Sequence, residues 1–206
     1  MIRKPKGYDE AAAYTGESMQ LPAGLYVCKV MQANETKTST EKPQIVILFD
    51  VAEGEYKDFY KAQYEAARRM DAKSAKWKGV HKQIMDGSSL PFFKGLMTSI
   101  ERSNQGYIFP WGVEGNEKTL VGKKFGAVMG REQFETRDGG KAFATKIFQV
   151  RSVDGLKDAK IPEDRLLPES GVPTGYAPAA ANNPASAHPN GFMDIPDGTA
   201  EELPFM

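Results

Sequence analysis

The stretch LVGKKFGAVMGREQFETRDGGKAFATKIFQVRSV, residues 120–153, decides how the rest of the chain is read. Two runs with strand composition, 120–135 and 141–153, flank TRDGGK. Asp138–Gly139 in that link is a tight-turn signal, so the two runs predict an antiparallel hairpin. Strict two-residue alternation along 141–153 places Phe143, Thr145, Ile147, Gln149 and Arg151 on one face. It places Ala142, Ala144, Lys146, Phe148 and Val150 on the other. Neither face is cleanly apolar. The three glycines of GKKFGAVMG alternate with strand residues and lack the Lys-Ser or Lys-Thr that follows a phosphate-cradling loop. They predict bends in a curved strand.

Working toward the N-terminus, SSLPFFKGLMTSIERSN, residues 88–104, predicts a helix. A serine precedes a proline in its first turn. Phe93, Leu96, Met97 and Ile100 recur at helical spacing on one face, and Asn104 followed by Gly106 ends it. Residues 76–87 favour no element. Residues 65–75, rich in Ala and charge, predict a short helix. GLYVCKVMQANETKT, 24–38, predicts a first strand, and PQIVILFDVAEGEY, 43–56, a second strand buried on both faces. KDFYKAQY, 57–64, reads as that strand's continuation or as a third strand beside it.

The order strand, strand, third strand, helical insert and terminal hairpin outlines a mostly β, OB-fold-like five-stranded barrel. An SH3-like barrel or a small α+β sandwich has the same outline. The division read from composition is an N-terminal arm over 1–20, a folded domain over 21–168, and a tail over 169–206. Residues 169–200 are dominated by Pro, Ala, Asn, Gly and Ser. Such a composition buries too little apolar surface to offset ordering entropy, and predicts disorder.

The net charge of zero conceals an asymmetry. All 27 Lys and Arg lie within residues 1–165, together with 22 of the 27 acids. The body therefore carries +5, and the tail, with Glu169, Asp194, Asp197, Glu201 and Glu202, carries −5. A basic body beside an acidic tail points toward nucleic acid. No run of about eighteen apolar residues exists to span a membrane, and MIRKPKGYDEAAAY lacks the apolar stretch of a signal peptide. The lone Cys28 excludes an internal disulfide and a Cys-rich zinc site. A cytoplasmic protein is expected.

Catalytic signatures are missing. His81 has no companion at metal-ligand spacing, and His188 lies in the tail. No paired carboxylates stand out, so neither enzyme, metal nor cofactor is expected; a metal-dependent nuclease assembled from distant acids is the enzymatic alternative. What the chain does carry is cations interleaved with rings. Lys57, Phe59, Tyr60 and Lys61 stand together. So do Lys123, Lys124, Phe125, Arg131 and Phe134, and again Lys141, Phe143, Lys146, Phe148 and Arg151. Trp77 sits between Lys76 and Lys78, with Arg68 and Arg69 upstream; it either stacks at the edge of a basic groove or caps the core. Trp111, without basic neighbours, reads as structural. Single-stranded nucleic acid needs both features, because cations follow its phosphates and flat rings accept unstacked bases. The candidate contacts are Lys57, Tyr60, Lys61, Arg68, Arg69, Trp77, Lys123, Lys124, Arg131, Phe134, Lys141, Phe143, Lys146 and Arg151.

The last residues, EELPFM (201–206), have the parts of a short docking motif. Phe205 fills an apolar pocket, Glu201 and Glu202 meet a basic rim, and Pro204 stiffens the segment next to Leu203. MDIPD, 193–197, is a weaker copy. This tip resembles that of bacterial single-stranded DNA-binding proteins, which ends in acids followed by Ile-Pro-Phe or Leu-Pro-Phe; here Met206 follows the Phe. The body resembles phage and prophage single-stranded DNA-binding proteins of Gram-positive bacteria. The matching pieces are YDEAAAYTGE with LPAGLYVCKV, FDVAEGEYKDFY, FFKGLMTSIERSN, LVGKKFGAVMGREQFE and VRSVDGLKDAKIPEDRLLP. The resemblance implies an OB-fold, a bacterial host cell, and a role in phage DNA replication or recombination. It also implies phage or host replication and recombination proteins as partners of the tip. A protein-only scaffold is the non-DNA alternative, and a homo-oligomer is compatible with either.

Overall fold

A computed structural model describes residues 3, 4, 8, 20–136 and 138–167. Five strands form one sheet: β1 (Gly24–Lys37), β2 (Pro43–Val51), β3 (Val80–Ile84), β4 (Lys124–Glu135) and β5 (Lys141–Arg151). Their order is β3-β2-β1-β4-β5, and every neighbouring pair is antiparallel. The sheet is open, with β3 and β5 as its edges. Helix α1 (Phe59–Met70) joins β2 to β3, and α2 (Leu90–Ser103) lies between β3 and β4. α2 packs on β3, β4 and β5, so it spans the gap between the two edges.

β2 is buried on both faces, as its apolar run predicts. Ile45, Ile47, Phe49 and Val51 enter the main core. Val46, Leu48 and Asp50, on the other face, are buried too. The core gathers Leu96, Met97 and Ile100 from α2 with Phe125 and Met129 from β4. Three of the four apolar positions predicted for that helix are thus fully inside, and Phe93 packs half-buried against them. Asn104 fastens the end of α2 to β4. Its amide donates to the carbonyls of Ile100 (2.7 Å) and Lys124 (2.8 Å), and its oxygen accepts from the Lys124 N–H (3.0 Å). No helix among the described residues is long and apolar enough to cross a membrane.

Four sequence expectations change. Residues 57–64 are not a strand: β2 ends at Val51 and α1 begins at Phe59. The chain reverses through Gly54 and Asp58, both at positive φ (87° and 57°). The buried Asp50 carboxylate then receives the backbone N–H groups of Tyr60 (2.9 Å) and Lys61 (3.0 Å). Those are first-turn donors that a helix cannot satisfy itself, so a side chain on β2 starts α1. The helix expected over 65–75 accordingly starts earlier and stops at Met70. The third strand lies instead at Val80–Ile84, inside the stretch that favoured no element.

The two-face reading of β5 fails at a bulge. Val128 faces Gln149, but Met129 faces Ile147, leaving Phe148 as an extra residue. The bulge swaps the faces, so Ile147 and Val150 both pack on the core. The glycines of β4 also mark close approach. A Cβ on Gly126 would stand 2.7 Å from Leu156, and one on Gly130 would stand 2.5 Å from the Phe148 ring and 2.8 Å from Pro162. Residues 152–167 lie against the sheet at these bare positions and form a strap.

Candidate nucleic-acid interface

β1 pairs with β4 only as far as Gly24 opposite Met129. Beyond that point β4 and β5 continue as a two-stranded arm, with Arg131 opposite Thr145, Gln133 opposite Phe143 and Phe134 opposite Ala142. The arm closes through a turn in which the Thr136 N–H donates to the Gly140 carbonyl at 2.7 Å. The Asp-Gly signal is thus at the hairpin's tip.

The strap covers the edge of the arm that β1 leaves free. Arg165 donates its N–H to the Arg131 carbonyl (2.9 Å) and accepts from the Gln133 N–H (2.8 Å). Its guanidinium lies 4.0 Å over the Phe148 ring. Arg131 in turn lies 5.1 Å over the Phe143 ring and forks onto Asp164, with Nε donating to Oδ1 at 2.9 Å and the second nitrogen donating to Oδ2. This hydrogen-bonded carboxylate raises the guanidinium pKa further. Phe134 is 42% exposed. Lys141 is exposed, and Lys146 pairs with Glu132 at 2.7 Å. Arg131, Phe134, Lys141, Phe143 and Lys146 therefore share the arm, with Arg131, Lys141 and Phe143 on one face and Phe134 and Lys146 on the other, and Arg165 joins them at its edge.

The other predicted residues fall elsewhere. Lys123 lies 4.2 Å over the Tyr107 ring, and Lys124 pairs with Glu53 at 2.6 Å. Arg151 stands opposite Gly126 near the inner end of the hairpin and donates to the Gln149 side chain at 2.9 Å. Lys57, Lys61, Arg68 and Arg69 are exposed just before and along α1. Tyr60 packs in the core at the base of a groove. It is 7% exposed, edge-on to Phe49 at 5.4 Å, and burial pushes its phenol pKa up. Trp77 caps the core. Half-buried, it donates Nε1–H to the Phe49 carbonyl at 3.0 Å and tilts against Tyr64. A groove of about 210 Å³ runs between α1 and the arm, lined by Phe59, Tyr60, Gln63 and Lys78, by Ala144 and Thr145, and by Gln20 and Leu21.

Two residues escaped the sequence reading. Arg165 meets Phe148 only because the strap turns back on the sheet, and no local period announces that. Trp111 is packed edge-on to Phe109 (4.6 Å) and Phe93 (6.1 Å), yet it is 60% exposed. Its lack of basic neighbours in sequence said nothing of its exposure. Among the described residues no three His, Cys, Asp or Glu side chains converge as metal ligands. His81, on β3 opposite Ile47, is held neutral by burial, its pKa pushed down to about 4. Glu201, Glu202, Leu203, Pro204 and Phe205 lie outside the described residues, as do the expected arm over most of 1–19 and the tail from Pro168.

No protein-family description matches this chain, and no curated protein matches it.

Proposed function

We propose that this protein binds single-stranded DNA with little sequence preference, coating it during phage DNA replication or recombination in a bacterial cytoplasm, without catalysis. The observation that carries the reading is the arm. Two guanidiniums stack on rings there, one on each face, and the arm also carries a half-exposed phenylalanine and an exposed lysine. Cations near flat rings serve a strand's phosphates and bases together, and each stacked base is worth about 1–3 kcal/mol. We take the groove between α1 and the arm as the strand's further course, with Lys78 on its wall and the exposed cations of α1 as further phosphate partners.

We read the open sheet as an OB-like barrel. A β1 shared between β2 and β4, and an α2 that spans the two edges, favour that reading. The tip Glu201–Phe205 recruits replication or recombination proteins, a role supported by its acids, proline and terminal apolar residues.

A protein-only scaffold is the second reading. Ile108, Trp111 and Val113, exposed at 80%, 60% and 57%, favour it, because strand binding by the arm leaves them unused. Titrating fluorescent oligo-dT with the intact chain separates the two. The DNA reading expects tight binding at low salt, and the scaffold reading expects none.

A further inference from the structure

Three cations of the hairpin already hold an anion. Lys124 holds Glu53, Lys146 holds Glu132, and Arg131 holds Asp164. The last pair differs from the others in shape. Arg131 presents two nitrogens to two carboxylate oxygens, the bidentate geometry with which a guanidinium also takes phosphate. Asp164 lies on the strap next to Arg165, whose backbone is hydrogen-bonded to Arg131 and Gln133. The carboxylate is therefore tethered at the guanidinium rather than drawn from solution, and a tether acts as a high local concentration. The pair is open to solvent, with side-chain exposures of 48% for Arg131 and 30% for Asp164, so a ligand can reach it.

We propose that Asp164 is a built-in competitor: its carboxylate occupies the phosphate seat of Arg131, and a strand phosphate takes that seat only by displacing it. The inference rests on the DNA reading and specifies how that site is regulated. The exchange requires only the Asp164 side chain to turn into solvent. The backbone bonds at Arg165 and the Arg165–Phe148 contact stay in place, so the strap remains while the fork changes partner. Because exposed ion pairs are weak, the competition is mild, and it keeps the coat exchangeable rather than fixed.

The test is a double-mutant cycle on the full chain, read as oligo-dT affinity at low salt. Asp164→Asn keeps the shape of the side chain and removes its charge. It is expected to tighten binding about two- to fivefold, the range an exposed pair can contribute. Arg131→Gln should weaken binding, and Asp164→Asn should have little further effect in that background. An Asp164→Asn gain that persists unchanged without Arg131 would mean general charge relief, and it overturns the proposal. So does wild-type binding that Asp164→Asn leaves equal or weaker. Absence of wild-type binding overturns the DNA reading itself, a distinct result. If Asp164→Asn melts early, Asp164→Ser carries the same comparison.

Discussion

Asp50 is the residue on which the turn from sheet to helix depends. Its carboxylate is 1% exposed and accepts three backbone N–H groups, from Val51, Tyr60 and Lys61. Burial raises its pKa, while these three donors, against the nearby Asp58 charge, pull it back down. Asp50→Asn keeps the volume but places an NH2 against backbone donors. It is expected to cost about 2–3 kcal/mol in urea unfolding; an unchanged midpoint contradicts this role. His81 makes the second residue-scale prediction. Its folded pKa is about 4, against about 6.5 when unfolded. Between those values the unfolded chain binds the proton and the folded protein does not. Stability from this group therefore falls as pH drops from 6.5 to 4, and levels off below. Asp50, raised by burial, acts with the opposite sign above the ordinary carboxylate range. An NMR titration isolates the histidine: the signal lost in His81→Gln should have its midpoint near 4, and a midpoint near 6.5 contradicts burial of a neutral ring.

At the scale of elements, most strands and α2 were legible because period and turn chemistry are local. The misses have physical causes. KDFYKAQY looked like strand because aromatics and lysines alternate. Yet burial at Tyr60, Gln63, Tyr64 and Ala67 follows helical spacing, a pattern that competed in the same letters. What favoured the helix was Asp50, supplied from another element. β3 is five residues long with a His, a Lys and a Gln, too short and polar for alternation to be read. The β5 bulge inverted the predicted faces because one extra residue defeats a period of two. The strap explains the β4 glycines. Gly130→Ala drives a Cβ to 2.5 Å from Phe148 and is expected to destabilise by about 1–3 kcal/mol. Gly95→Ala, on α2 with nothing within 4 Å, should stabilise by about 0.5–1 kcal/mol. Thermal melts of the two variants should move in opposite directions; equal shifts contradict the close-approach account.

At the scale of the whole molecule, charge separation and the interleaving of cations with rings were visible in the letters. Which of those residues meet was not, since that depends on how far β1 runs along β4 and on where the strap returns. Of the fourteen candidates, five share the arm beside Arg165; Lys61, Arg68 and Arg69 lie along α1; and Tyr60 packs in the core. The central claim is that this arm and its neighbouring groove hold a single strand. The measurement that tests it most directly is equilibrium binding of fluorescent oligo-dT to the intact chain across a salt series, with duplex DNA as competitor, repeated with Phe134→Ala/Lys141→Ala. The account predicts single-strand preference and a log–log salt slope of about −0.7 per phosphate neutralised. It also predicts at least about tenfold weaker binding by the double variant. Absence of binding at low salt, or equal affinity for duplex, would contradict it.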